Sequence, residues 1–304
     1  LKVAELSPSD LRARLLGPGL VLPCGPFTVR LRSPLPVIAE GIALLYADFE
    51  LADADAFIDF EVSLMPGRGL RRWIRPQVHF DSDGRRPFKP LPREQALAMM
   101  EWGLNWLLTS HAQQWLMIHA AVVERDGKAM VLAADPGSGK STLCAALVLR
   151  GWRLLSDEMA FVSLQDGRLL PIARPVSLKN RSIDVIRAFS SAAVIGPASH
   201  DTVKGTVAHL RPPAASVAAR EQTAKPALLV FPKYEADQAQ LLQPVPRAQA
   251  LMELVGHTFN YALLGNQAFE ALADLVEAVP AVRLQYRSFD ELMPALDALW
   301  EELP

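Results

Sequence analysis

Between residues 134 and 142 the chain reads Ala-Asp-Pro-Gly-Ser-Gly-Lys-Ser-Thr, which sets two glycines, a lysine and hydroxyls almost side by side. Gly137 and Gly139 let successive backbone N–H groups turn toward one centre, a shape that suits a polyphosphate. Lys140 has the reach for β- and γ-phosphates, and the Ser141 hydroxyl suits Mg²⁺. An apolar strand, 129–133, leads in and a helical stretch, 142–150, leads out, which is the strand-loop-helix setting a P-loop requires. Asp135, Pro136, Gly137, Ser138, Gly139, Lys140, Ser141 and Thr142 are therefore the expected nucleotide-binding residues, with ATP and Mg²⁺ as the expected cofactors. Ala134 stands where the first glycine is usual, which a negative φ permits.

A histidine and two acids fall around this loop by pattern. Segments 116–125 and 128–135 read as strands joined by Asp126-Gly127, a dipeptide that favours a two-residue hairpin. Pairing Arg125 with Lys128 pairs Val123 with Met130, Ala121 with Leu132 and His119 with Ala134, so His119 is expected at the phosphate mouth rather than in the core. Gly151 ends the helix, 152–155 forms the next strand, and Ser156-Asp157-Glu158 follows at its carboxyl end. Ligands of parallel sheets gather at such ends. One of the two carboxylates is thus expected to hold Mg²⁺ and the other to accept a proton from an attacking hydroxyl.

His119-Ala120-Ala121-Val122, the loop, Leu149-Arg150-Gly151 and Leu154-Leu155-Ser156-Asp157-Glu158 together resemble the catalytic core of the HPr serine kinase/phosphorylase family in residues and spacing. The resemblance runs from Leu116 to Gly205. It implies an α/β fold with a P-loop kinase core similar to HPr kinase and phosphoenolpyruvate carboxykinase, and ATP-dependent phosphorylation of a serine in a small protein. It also implies Asp157 as the base, His119 and Lys140 beside the transferred phosphoryl, and Ser141 and Glu158 on the metal side.

The family's Glu-Val-Arg-Gly signature would fall at Thr202-Val203-Lys204-Gly205, where Thr202 replaces the carboxylate and Lys204 keeps the charge without arginine's bidentate fork. That pattern is more similar to divergent HPr-kinase-related proteins, some of which resemble kinases of ribosomally made precursor peptides. The implied activity is transfer of the γ-phosphoryl group of ATP to a Ser or Thr hydroxyl of a peptide or small protein. A nucleotide-binding ATPase or switch, and a small-molecule kinase, are the alternatives.

Such residues need a scaffold, and 304 residues, 50% of them hydrophobic, can bury a large core. Residues 1–92 read as a smaller α+β region in which 19–32, 57–65 and 73–80 look like an antiparallel sheet. Pro87, Pro90 and Pro92 mark a boundary, after which 93–304 is expected to form the P-loop kinase-like domain with a helical C-terminal part. The helical stretch 93–110 carries Trp102 and Trp106 one turn apart near Met99 and Leu107, a stripe expected in the core. Stretch 190–225 carries little periodicity and reads as a long, moving loop. Beyond it come a strand over 227–231 and helices over 247–255, 269–279 and 289–300. Lys179, Lys204 and Arg211 are candidate phosphate or substrate contacts, against a solvated-surface alternative.

The formal charge of −2, with no basic run, argues against a general nucleic-acid-binding surface. No apolar run approaches the roughly 20 residues that span a bilayer, and no signal peptide opens the chain, so a cytoplasmic protein without a membrane partner is expected. Cys24 and Cys144 form neither a metal knuckle nor a redox pair. Cys144 is expected to pack as a small apolar residue on the helix after the loop. A homo-oligomer is compatible with this composition.

Overall fold

In a computed structural model, which describes residues 1–53 and 55–303, the chain begins with α1 (Pro8–Leu16), β1 (Leu20–Cys24), β2 (Phe27–Arg32), α2 (Pro36–Leu45), β3 (Phe60–Pro66), β4 (Gln77–Ser82), β5 (Leu91–Pro92) and α3 (Ala96–His111). The middle holds β6 (Trp115–Ile118), β7 (Ala120–Arg125), β8 (Lys128–Ala133), α4 (Lys140–Leu149), β9 (Arg153–Ser156), β10 (Ala160–Ser163) and β11 (Leu169–Leu170). There follow β12 (Val176–Lys179), α5 (Arg181–Phe189), β13 (Ser199–Thr202), β14 (Gly205–Leu210) and α6 (Ala214–Ala218). The last part is β15 (Lys225–Tyr234), β16 (Leu241–Pro244), α7 (Arg247–Gly256), α8 (Tyr261–Leu264), α9 (Asn266–Ala278), β17 (Ala281–Tyr286) and α10 (Phe289–Glu301). The fold is mixed α/β with several mixed sheets. It divides into two compact units, 1–108 with 172–220 and 109–171 with 221–304. Among the described residues no helix is long and apolar enough to cross a membrane.

The first unit is built on a sheet in the order β1-β2-β3-β4-β5. β2, β3 and β4 alternate buried residues with more exposed ones, as one covered face requires. The sheet is not wholly antiparallel as the pattern suggests, because β2 and β3 run parallel. The reason is α2, which starts at Pro36 and carries the chain across between them, a connection that a short hairpin cannot replace. Helix α3 packs so closely that a Cβ on Gly103 would overlap the Phe80 ring of β4. This is why the unit extends beyond the proline-rich stretch at 87–92 and takes in most of the helix that follows it.

Of the tryptophan stripe, Met99 and Leu107 are buried, whereas Trp106 is exposed and meets Phe88 edge-on. Residues 190–225 are not one loop. They contain β13, β14 and α6, and β12-β14-β13 form a sheet of their own. Short strands with polar residues at the turn, such as Ser199–Thr202, leave little periodicity to read.

The second unit centres on a six-stranded sheet in the order β16-β17-β15-β8-β7-β9. Asp126 and Gly127 both have positive φ, 56° and 79°, the pair a type I′ turn needs. The hairpin register accordingly runs from Arg125↔Lys128 through Ala121↔Leu132 to Ala120↔Ala133. The chain does not continue as one strand to residue 116. It leaves this sheet at His119, and β6 pairs with β10 in a separate three-stranded sheet. β8 is parallel to β15, and β15 to β17, while β7 is antiparallel to both β8 and β9. Ala129, Val131 and Ala133 on one face of β8 join Ala250 and Leu254 of α7, Leu272 and Leu275 of α9, and Leu116 and Ile118 of β6 in one core. The other face is covered by α4, which packs on β7, β8 and β9.

Candidate functional site

One end of the six-stranded sheet collects the carboxyl ends of β8, β9, β15 and β17 together with the start of β7, and the polar residues of interest stand there. β8 delivers the chain into the glycine-rich loop at Ala134, which does not take a positive φ, while Gly137 and Gly139 take +91° and +90°. At Gly137 a Cβ would meet nothing within 4 Å, so the backbone conformation alone asks for glycine. At Gly139 space asks for it too. A Cβ there would come 2.5 Å from Tyr286 Oη and 3.0 Å from Tyr234 Cβ.

Those tyrosines end β17 and β15 and hold the loop from the side. The Tyr286 hydroxyl donates to the Gly139 carbonyl at 3.1 Å, and the Tyr234 N–H donates to the Ser138 carbonyl at 2.8 Å. Burial pushes the Tyr286 phenol well up, which keeps it a neutral donor. α4 then begins at Lys140, a residue only 6% exposed, with Ser141 and Thr142 half-buried behind it. Ser138 Oγ is buried with no hydrogen-bond partner among the described residues.

On the other flank of β8 stand the histidine and the acids. His119 occupies the point where the chain switches sheets, so its N–H is given not to Ala134 but to the His257 carbonyl, at 2.7 Å. Its ring nitrogen Nε2 lies 3.6 Å from Glu158 Oε2. Asp157, at the end of β9, is 5% exposed. The turn that carries both acids is closed by Ser156, whose hydroxyl accepts from the Met159 N–H at 3.2 Å. Burial pushes the Cys144 thiol on α4 well up, nearby Asp157 adds to the rise and Lys140 opposes it. Asp157 and Lys140 thus act on the same buried point of α4.

Among the described residues no group of three or more His, Cys, Asp or Glu side chains forms a metal cage. Mg²⁺ held largely by phosphates and water asks few ligands of a protein, and a hydroxyl and a carboxylate, the groups of Ser141 and Glu158, are of the oxygen type it takes.

Sequence reasoning missed His257, Phe259, Tyr234 and Tyr286. Residues 257–260 run beside β6, with Thr258 bridging Ile118, the Phe259 N–H donating to Met117 and Asn260 closing on the Met117 N–H and the Trp115 carbonyl. This brings the His257 and Phe259 rings to 6.5 and 5.6 Å from His119. Burial pulls His257 below its ordinary pKa. Asp135 opposes that shift, whereas His119 and Lys140 add to it, so His257 lies near enough to the loop to sense its charges. No local pattern announces a pairing across such a sequence separation. The tyrosines have a position in common, since each is the last residue of its strand, Tyr234 of β15 and Tyr286 of β17.

The remaining candidates belong to the first unit. Lys179 ends β12, where its backbone N–H and carbonyl both bond the Ser182 hydroxyl at 2.7 Å. Lys204 sits in the β13–β14 turn with Nζ 5.3 Å from the Trp102 ring. The hydroxyl of Thr202 closes that turn on the Gly205 carbonyl at 2.6 Å. Arg211 is engaged by Asp48, which accepts from Nε at 3.0 Å and from Nη2 at 2.6 Å. Arg174 is buried with Glu101 at 2.6 Å and Asn105 at 2.7 Å, the pairing a buried guanidinium needs.

A family model described as "ScmC: SynChlorMet cassette protein ScmC" matches residues 90–171, about a quarter of the chain. The matched stretch contains His119, the glycine-rich loop, Asp157 and Glu158. No curated protein matches the chain.

Proposed function

We propose that the chain is an ATP-dependent kinase with a P-loop core, transferring the γ-phosphoryl group to a Ser or Thr hydroxyl of a peptide or small protein. The observation that carries this reading is the meeting, at one end of one sheet, of a positive-φ glycine loop, the lysine that opens α4, and on one flank Asp157 and the His119–Glu158 pair.

The backbone N–H groups of the loop and the N-terminus of α4 would hold the phosphates, and the buried Ser138 hydroxyl would add a further donor from the same loop. Lys140 adds a point charge on the β- and γ-phosphates. Mg²⁺, when held by Ser141 and Glu158, supplies neutralisation of the triphosphate's charge. Asp157 takes the proton of the acceptor hydroxyl as the new O–P bond forms and the bond from the γ-phosphorus to ADP breaks. His119, 3.6 Å from Glu158, would donate to the transferred group. The resemblance to the HPr serine kinase/phosphorylase family, carried by these same residues, favours a peptide hydroxyl over a metabolite as acceptor.

Incubation with γ-labelled ATP, Mg²⁺, a Ser/Thr peptide library and a metabolite pool, followed by mass spectrometry of all products, tests the reading. Label is expected on peptide Ser or Thr. Label found only as inorganic phosphate supports the ATPase or switch instead, and label found only on a metabolite supports the small-molecule kinase.

A further inference from the structure

The sheet order fixes two sides for any ligand held on the loop. β8, which carries the loop, lies between β7-β9 on one side and β15-β17 on the other. His119, Asp157 and Glu158 all belong to the β7-β9 side. A triphosphate whose reacting γ end points to those groups extends its other end toward the carboxyl ends of β15 and β17. The residue met there is Tyr234, the last of β15. Its N–H is bonded to the Ser138 carbonyl at 2.8 Å, and its Cβ abuts Gly139, so its place against the loop is set. The residue is nonetheless 40% exposed.

Its neighbour explains the orientation. The Tyr234 ring meets Tyr286 at 5.6 Å and 68°, an edge contact, while Tyr286 is itself buried, stacked on Phe289 at 6.0 Å and bonded to Gly139. Tyr286 is therefore occupied with holding the loop, and Tyr234 offers the accessible aromatic surface on this side. Aromatic rings take nucleobases by stacking, which needs no donor–acceptor code.

We propose that Tyr234 forms the base subsite of the nucleotide pocket and stacks on the purine ring of the bound triphosphate. This rests on the nucleotide reading given above. Tripolyphosphate, which has the phosphates but no base, separates the two. Calorimetry with Mg²⁺·ATP and Mg²⁺·tripolyphosphate is run on the 304-residue protein and on its Tyr234→Ala, Tyr234→Phe and Lys140→Ala variants.

Tyr234→Ala is expected to weaken ATP by roughly 5- to 150-fold, the range one stacked base is worth. It should leave tripolyphosphate affinity unchanged, and Tyr234→Phe should retain ATP affinity. Equal loss of both ligands in Tyr234→Ala, with the protein folded by circular dichroism, would mean that Tyr234 only supports the loop and would overturn the base subsite. Unchanged ATP affinity in Tyr234→Ala would overturn it as well. Failure of the wild-type protein to bind either ligand, or binding of both to Lys140→Ala as to wild type, would overturn the nucleotide reading itself and the subsite with it.

Discussion

The imidazole of His257 is held below its ordinary pKa of 6.5, chiefly by burial, with Asp135 opposing and His119 and Lys140 adding to the shift. A histidine so depressed takes up its proton more readily in the unfolded chain than in the folded one. Its contribution to stability is therefore complete above its ordinary value and is lost as pH falls through that value, levelling off below the folded-state pKa. His257→Gln should accordingly show a smaller drop in Tm than wild type between about pH 8 and about pH 5. An equal drop would show that the ring is not held neutral by its surroundings. His79 is depressed in the same direction, by burial first and then by Arg86 and Arg68, and lies in the other unit, so it shifts both proteins alike. At this scale the sequence was partly legible. Asp157, Glu158 and His119 were picked out by type and place, but His257 and Phe259 were not, because they reach His119 by backbone pairing with distant β6.

At the scale of elements, the close approach of α3 to the N-terminal sheet needs residue 103 to lack a side chain. Phe80 beneath it is fully buried, and its ring would lie 2.0 Å from a Cβ at that position. In an exposed helix Gly→Ala gains up to about 1 kcal/mol. Gly103→Ala should instead destabilise, by roughly 1–3 kcal/mol, as overpacking does. Chemical denaturation measures this, and a stabilised variant would mean that α3 and β4 are farther apart than described. The same scale shows what the chain announces about itself. The β7–β8 hairpin was readable to the residue, since Asp126-Gly127 permits one turn type and that turn fixes the register. The break at His119 was not, because 115–125 is apolar on both sides of it and only the pairing of β6 with β10 separates them. The parallel pairing of β2 with β3 depends on where α2 docks, and the strands between 199 and 210 are too short and polar to show a period.

Across the whole molecule the site draws on two separated stretches of chain. Residues 109–171 supply His119, the loop and both acids, and residues 221–304 supply Tyr234, His257 and Tyr286 to the same unit. The β8–β15 pairing joins them, so loop geometry depends on a non-local contact that no short window of sequence reveals. Residues 172–220 lie between the two stretches and belong to the first unit, a division that the prolines at 87–92 do not mark. What the assembled end of the sheet is proposed to do is to hold ATP by the loop and transfer its γ-phosphoryl with Asp157 as base. Asp157→Asn keeps the shape of the side chain and removes its basicity, so it separates binding from transfer. Single-turnover transfer of label from γ-labelled ATP to a peptide acceptor, measured beside ATP affinity, should fall by about 10²- to 10⁴-fold with affinity unchanged. Transfer at the wild-type rate in a folded Asp157→Asn protein would contradict the account.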